Sequence, residues 1–366
     1  MQLSSSNTIS YLIVGNLSMN TLRLNRREVC MQKNRLGTSE LLISPIGMGT
    51  WAIAGQGWEF SWGAQDDGDS LAALEYAVER GVNWIDTAAV YGLGHAEILT
   101  GQLLRQVPAS RRPLVFTKGS LVWDPETREI SHSLAPQSLM KEIEDSLRRL
   151  QVNVIDLYQI HWPAFPADGN SEGIEEALAT LAQAKAQGKI RAIGVSNFDV
   201  SQLERARSVT DIASLQPPYS ALMRDIEEQI LPYCATAQVG VIAYSTLQSG
   251  LLTGSMTRER IAQLSDDDWR KSRSADFQEP RLSKNLALVE VMANIGARHG
   301  VKAAAVAIAW VLRNRAVSGA IVGARRPDQV NGLIDATRIR LSHAEIEEIR
   351  PYLPEGMGTN VPSSVS

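Results

Sequence analysis

Cysteine is nearly absent from this chain. Cys30 and Cys234 are the two among 366 residues, which excludes a disulfide scaffold, and no Cys/His spacing suits a structural or catalytic metal. A reducing, cytoplasmic compartment is the expectation. Long apolar runs are missing too. None approaches the roughly 18 residues of a membrane-spanning helix, and Tyr11 to Val14 is too short for a signal-peptide core. Positive charge is not in excess: 36 Lys and Arg stand against 40 Asp and Glu, a formal net charge of −4. There is no basic stripe of the kind general nucleic-acid binding needs. Neither nucleic acid nor membrane is therefore expected as a partner, and oligomeric state is left open. No short repeat is present. The dinucleotide-binding fingerprint of a Rossmann unit is absent as well, because Gly92-Leu93-Gly94 lacks the third glycine and follows a tyrosine rather than a strand.

What the chain does have is enough apolar material for a large core, at 44%, arranged in strand-like and helix-like segments that alternate about eight times. Arg35 to Ile43 reads as a hairpin around Gly37-Thr38-Ser39-Glu40. Strands are expected at Ile43–Thr50, Val82–Thr87, Leu114–Lys118, Val154–His161, Ile190–Val195, Ile212–Gln216, Gly240–Tyr244 and Gly319–Val322. Helices fall between them, the clearest being Ser138–Leu150, with Leu139, Ile143, Leu147 and Leu150 at three- and four-residue spacing. Asp67, Asp69 and Ser70 are N-cap candidates for a helix at Asp69–Arg80. A long insertion to about Pro280 follows the seventh strand, and a last helix is expected at His343–Tyr352. Such alternation implies a parallel sheet. Eight units over about 300 residues suit an α/β fold of the (β/α)8 TIM-barrel kind, with a short N-terminal hairpin and an extra C-terminal helix. An open doubly wound sheet is the alternative. The barrel is expected over residues 31–353. Residues 1–30 read as an extension outside it, either disordered or an over-called start with Met31 as the true one, and 354–366 as a frayed tail.

In a barrel, chemistry gathers where the strands end. Asp86, Tyr91, Lys118 and His161 fall on or just after the ends of strands two, three and four. A free tyrosine titrates near ~10 and is a poor acid at neutral pH. A neighbouring ammonium lowers that value. Lys118 can supply the charge, Asp86 can hold Lys118, and a neutral His161 can point an N–H at a substrate oxygen. Such a set can protonate an alkoxide as it forms from a carbonyl. Alone, His161 would more often be a satisfied core histidine. The Arg148-Arg149 and Glu347-Glu348 pairs read as solvated helix faces, His95 as a capping or surface residue, and Asp266-Asp267-Asp268 as a soluble loop.

These residues resemble the Asp, Tyr, Lys and His tetrad of the aldo-keto reductase family. The local sequences match in order: Asp86-Thr87-Ala88-x-x-Tyr91-Gly92, Thr117-Lys118, Asp156-Leu157-Tyr158-Gln159-Ile160-His161-Trp162-Pro163, Gly194-Val195-Ser196-Asn197-Phe198, Tyr244-Ser245 and Gly250-Leu251-Leu252-Thr253-Gly254. The resemblance runs from about Arg35 to Tyr352 and is similar to a bacterial branch with a Trp- and Gly-rich first loop. It implies a TIM-barrel reductase that uses a nicotinamide dinucleotide without a Rossmann domain. It further implies that Asp86 lies near the cofactor, that Ser196, Asn197 and Gln216 hold its carboxamide, and that Tyr244 stacks on the nicotinamide. Ser245, Leu247 and Gly250 would line the pyrophosphate path, with Gly323, Arg325 and Gln329 at the adenosine end. The last placement has an independent basis, since a helix opening at Pro327 presents amides and a positive dipole end. Arg325 adds a permanently charged fork suited to a 2′-phosphate. NADPH is expected over NADH, with a small-molecule carbonyl as substrate. Trp51 and Trp162 are expected as substrate-pocket walls, with Trp58 and Trp62 left open. Two departures from the family pattern stand out: Val330-Asn331-Gly332-Leu333 replaces a Glu-Asn pair after Gln329, and Ser255 stands where many relatives have lysine. A second reading is an NADPH-binding redox sensor without turnover. A hydrolase would need a nucleophile or metal set that the sequence does not offer.

Overall fold

The computed structural model describes residues 31–354 apart from 168, 170, 265–267 and 273. The expectations for residues 1–30, for nearly all of the 354–366 tail and for Asp266 and Asp267 lie outside the described residues. Eight parallel strands close into a barrel: β1 Ile46–Gly49, β2 Trp84–Asp86, β3 Leu114–Gly119, β4 Ile155–Ile160, β5 Ile190–Ser196, β6 Ser214–Gln216, β7 Gly240–Ala243 and β8 Val317–Val322. Each pairs with its successor in the chain, and β8 closes on β1. Strands this apolar bury both faces, one against the barrel interior and one against the surrounding helices.

The helices between strands are α1 Asp67–Glu79, α2 His95–Gln106, α3 Pro136–Leu150, α4 Ile174–Ala186, α5 Val200–Val209 and α6 Ile230–Ala237. Beyond β7 come α7 Arg281–His299 and α8 Ala303–Leu312; beyond β8 come α9 Pro327–Ile334 and the extra α10 His343–Ile349. In α3 the expected stripe is buried through Leu139, Ile143 and Leu150. Capping follows side-chain chemistry. Ser342 and Glu345 form a reciprocal box, as do Asp199 and Gln202. At α1 the cap is Asp66, whose carboxylate accepts from the Asp69 amide at 2.8 Å. It is none of the three candidates read from the sequence. No single helix among the described residues is long and apolar enough to cross a membrane.

Several boundaries differ from expectation. β1 starts at Ile46 because Leu42–Ile43 is taken by an antiparallel hairpin with Asn34–Arg35, and Pro45, with no N–H to donate, separates the two. The last helix stops at Ile349 and becomes a 3-10 turn at Arg350–Tyr352, which holds Pro351. A second hairpin, Leu121–Trp123 with Ile130–His132, follows β3 and was not anticipated.

The N-terminal hairpin plugs the barrel at the end opposite the strand carboxyl ends. Leu36, Leu41 and Ile43 pack there on Trp84, Phe116, Leu157 and Ile242. Trp84 fills the barrel axis, its Nε1 donating to the Ser44 carbonyl at 2.9 Å. Gly47 on β1 lies flat against that indole, and a Cβ there would sit 2.2 Å from Trp84 Cε2. Gly47→Ala is expected to destabilise the protein by about 1–3 kcal/mol or more, since overpacking a rigid ring forces backbone movement. A denaturant titration of the variant that matches the unsubstituted protein would contradict this packing.

Candidate active site

Parallel register carries Asp86, Lys118 and His161 to one rim: Asp86 pairs with Phe116 on β3, and Lys118 with Gln159 on β4. After β2 the chain continues along β3, with the Thr87 amide donating to the Phe116 carbonyl and the Ala89 amide to that of Lys118. That path brings the Tyr91 turn over Lys118. Gly92 makes the turn possible, because its φ is +60° and a Cβ would lie 2.2 Å from the Ala54 carbonyl oxygen.

Lys118 is the hub. Its Nζ donates to Asp86 Oδ1 at 2.6 Å, to the Thr87 carbonyl at 2.9 Å and to Tyr91 Oη at 3.3 Å. It is 1% exposed and Asp86 2%. The other Asp86 oxygen accepts from Gln216 Nε2 at 2.8 Å and from Gln159 Nε2 at 3.4 Å. The His161 ring meets the Tyr91 ring edge-on at 5.7 Å.

Electrostatics revise one expectation. Burial, and then the Asp86 carboxylate, push the Tyr91 phenol well above its ordinary range. The ammonium was expected to pull it down, but Asp86 sits on the same Nζ and offsets its charge. Tyr91 is therefore held as a phenol. Burial lowers Lys118, while Asp86 and Glu97 act in the opposite direction. His161 is pushed well below its usual value, first by burial and then by the Lys118 charge, so its imidazole is neutral at physiological pH.

The other expected positions fall around this centre. Asn197 Nδ2 donates to the His161 carbonyl at 2.9 Å and to Ser196 Oγ at 3.1 Å, and its Oδ1 accepts from Tyr244 Oη at 2.8 Å. Ser196 Oγ in turn donates to the Gln216 carbonyl at 2.8 Å. Asn197 and Ser245 both hold left-handed backbone conformations, with φ of 63° and 55°. Strain of this kind persists where surrounding structure imposes it, often at functional sites. The loop after β7 continues through Leu247 with further left-handed residues at Gln248, Ser249 and Gly250. Thr246 Oγ1 ties it to β8 by donating to the Ile321 carbonyl.

Trp51 packs at 5.2 Å from the Tyr91 ring and Trp58 at 6.1 Å, so both form the aromatic wall. Trp162 is set by the unanticipated hairpin: its amide donates to Ser120 Oγ, and its carbonyl lies 2.9 Å from His132 Nε2. Trp62 belongs elsewhere, 5.3 Å beneath the Arg270 guanidinium.

At the end of β8, Gly323 leads into Arg325, whose guanidinium donates to the Trp62 and Ala64 carbonyls and to Gln65 Oε1. It contacts no carboxylate among the described residues. Burial, Arg270 and Arg326 all act to lower its pKa, so cationic charge accumulates here. Gln329 Oε1 accepts the Arg325 amide at 2.7 Å, and Asn331 is engaged with Tyr76. Sequence reasoning missed Gln159 and Gln65. Gln159 was within reach, two residues before His161 on the same strand face; Gln65 carries no local signal at all. Arg149 is a correction: it is 19% exposed and paired with the buried Glu97. Arg148, at 71%, keeps the solvated role expected of it, as does His95, which meets Asp67 at the surface.

Comparison with known proteins agrees with this geometry. The model of the "Aldo/keto reductase family" matches residues 45–353. The chain is 32% identical over 329 residues to the "NADH-specific methylglyoxal reductase" of Escherichia coli (strain K12), covering 87% of this chain and 98% of the relative. Among solved structures, the glycerol dehydrogenase AKR11B4 from Gluconobacter oxydans is 37% identical with a TM-score of 0.79, covering 88% of this chain and 94% of that one. An aldo/keto reductase from Klebsiella pneumoniae, solved in complex with NADP and acetate, is 26% identical with a TM-score of 0.65, covering 90% and 98%.

Proposed function

The chain belongs to the aldo/keto reductase family, and on that premise we propose that it is an NADPH-dependent reductase of aldehydes or ketones in which Tyr91 is the general acid. The observation that carries the reading is the buried Lys118 ammonium, 2.6 Å from Asp86 and 3.3 Å from the Tyr91 phenol. The dinucleotide, when bound, supplies the hydride. The chain supplies the rest. His161, neutral, orients the carbonyl oxygen toward Tyr91. As negative charge develops on that oxygen, Tyr91 Oη gives up its proton, because an alkoxide is a stronger base than a phenolate. Lys118 then stabilises the phenolate left behind, with Asp86, Gln216 and Gln159 fixing the ammonium. Trp51, Trp58 and Trp162 exclude water and wall the substrate. The same groups serve alcohol oxidation in reverse.

The donor set fits a phosphorylated dinucleotide. A half-buried guanidinium at Arg325 with no carboxylate partner among the described residues, beside the cationic Arg326, suits an anion. Ser196, Asn197, Gln216 and Tyr244 surround the barrel mouth where a nicotinamide would reach Tyr91. NADH-specificity in one relative makes Arg325 the residue to test. Arg325→Ala is expected to raise the KM for NADPH by about 10- to 100-fold, as loss of a charge-assisted contact does, and to leave NADH within a few-fold. Steady-state rates with both cofactors over a panel of aldehydes and alcohols examine the whole reading. Tight NADPH binding without turnover on any member would instead support the sensor, and equal losses with both cofactors would remove Arg325 from the phosphate site.

A further inference from the structure

Glu97 takes no part in the proton transfer described above, yet it is a fully buried carboxylate placed on the third residue of α2. One oxygen accepts from Thr117 Oγ1 at 2.6 Å and the other from Arg149 Nε of α3 at 2.6 Å. Thr117 immediately precedes Lys118, and because side chains alternate along a strand, Lys118 points into the barrel while Thr117 points out toward α2. Ala96, the residue before Glu97, donates its amide to the Tyr91 carbonyl at 3.2 Å. A single carboxylate thus joins the turn that carries the phenol to the strand that carries the ammonium, acting through the barrel wall.

We propose that Glu97 is the positioning residue of the proton-donor site, setting the separation of Tyr91 from Lys118 through Thr117 and adding negative charge behind Lys118. The inference rests on the reading of Tyr91 and Lys118 given above. Packing alone does not require this arrangement. An apolar residue would brace α2 against β3 without the desolvation that a buried ion pair carries. A carboxylate adds directional bonds to both neighbours and a field at Lys118. Glu97 is one of the groups favouring the ammonium there.

Charged and titratable groups surround this pair, with Tyr244 facing the Tyr91 phenol from beyond β7. Around Lys118 are Asp86 from β2, Tyr91 from the following turn and His161 after β4. Around Glu97 are Arg149 and, on β4, the Tyr158 phenol, with Glu142 and Asp145 of α3 beyond. Burial pushes Glu142 up to about 7, and its carboxylate accepts the Ser120 amide at 2.9 Å. Arg149, the partner of Glu97, also acts to lower Glu142, so any change in that carboxyl falls on the acid side and is read apart from the alkaline limb set by Lys118.

The test uses the full-length chain with Thr117→Val and Glu97→Gln, measuring kcat and KM across pH beside Tyr91→Phe. Thr117→Val removes the tie and keeps the charge. Its kcat is expected to fall about tenfold or more, since small misplacements of reacting groups are costly, with both KM values and the pH limbs unmoved. Glu97→Gln is expected to lose kcat similarly and also to move the alkaline limb to lower pH, because Lys118 loses its proton sooner when a nearby anion is gone. Wild-type kcat in Thr117→Val overturns the brace, and an unmoved limb in a folded Glu97→Gln overturns the charge effect. Should Glu97→Gln fail to fold, Thr117→Val alone decides. Failure of the underlying reading looks different, as turnover that survives Tyr91→Phe.

Discussion

Tyr91→Phe is expected to lower kcat for aldehyde reduction by roughly 10²- to 10⁴-fold, the usual worth of a positioned general acid, with NADPH affinity nearly unchanged. The ring is held by Trp51 and Trp58, so phenylalanine keeps the packing and removes the proton. One bond from Lys118 is lost, but Lys118 retains Asp86 and the Thr87 carbonyl, so the fold is expected to stand. Stopped-flow reduction and fluorescence titration of the cofactor separate the two quantities. A joint loss of turnover and binding would mark Tyr91 as structural instead. Because burial holds the phenol protonated, the wild-type protein is not expected to lose its proton donor anywhere in the neutral range.

Lys118→Met has the second large effect, and it appears in stability as well as rate. Asp86 would remain buried with only the amides of Gln216 and Gln159 as donors. Breaking a buried pair from one side costs about 3–5 kcal/mol, which urea titration reads directly. The phenolate left by proton transfer would also lose its counter-charge, so kcat should fall alongside. Adding Asp86→Asn removes the stranded charge, and the double variant is expected to regain much of the stability while remaining inactive. Recovery of activity together with stability would show that the ammonium acts on folding alone.

Both predictions depend on a convergence that local sequence hints at without completing. Asp86, Lys118 and His161 could be placed near a common rim because each ends an apolar run, and a parallel barrel sends all such ends one way. The distances could not be read. Those depend on register, such as Lys118 facing Gln159, and register is a property of paired strands. The sign of the Tyr91 shift was misjudged because its largest cause is burial, which tertiary packing decides. Spacing along the chain says that an ammonium and a carboxylate are near; it does not say that the phenol is shut off from water.

Long-range ties were the least legible. Gln65 and Arg325 are 260 positions apart, and nothing about either residue names the other. Arg149 looked like half of a solvated pair, since Arg148 beside it is one. A rotation of one helical residue, about 100° around the axis, turns one arginine to water and the other onto Glu97.

The amino-acid sequence by itself determined the number and order of barrel strands, the apolar stripe of α3 and the identity of the four polar groups at the rim. Periodicity and residue chemistry are local, and they persist in any fold the chain adopts. Tertiary structure alone decided which partner each charge meets, which tryptophans reach Tyr91 and how far the phenol lies from the ammonium. Those follow from closing the ring, which brings residues distant in the chain within bonding range and removes the water that would otherwise screen them.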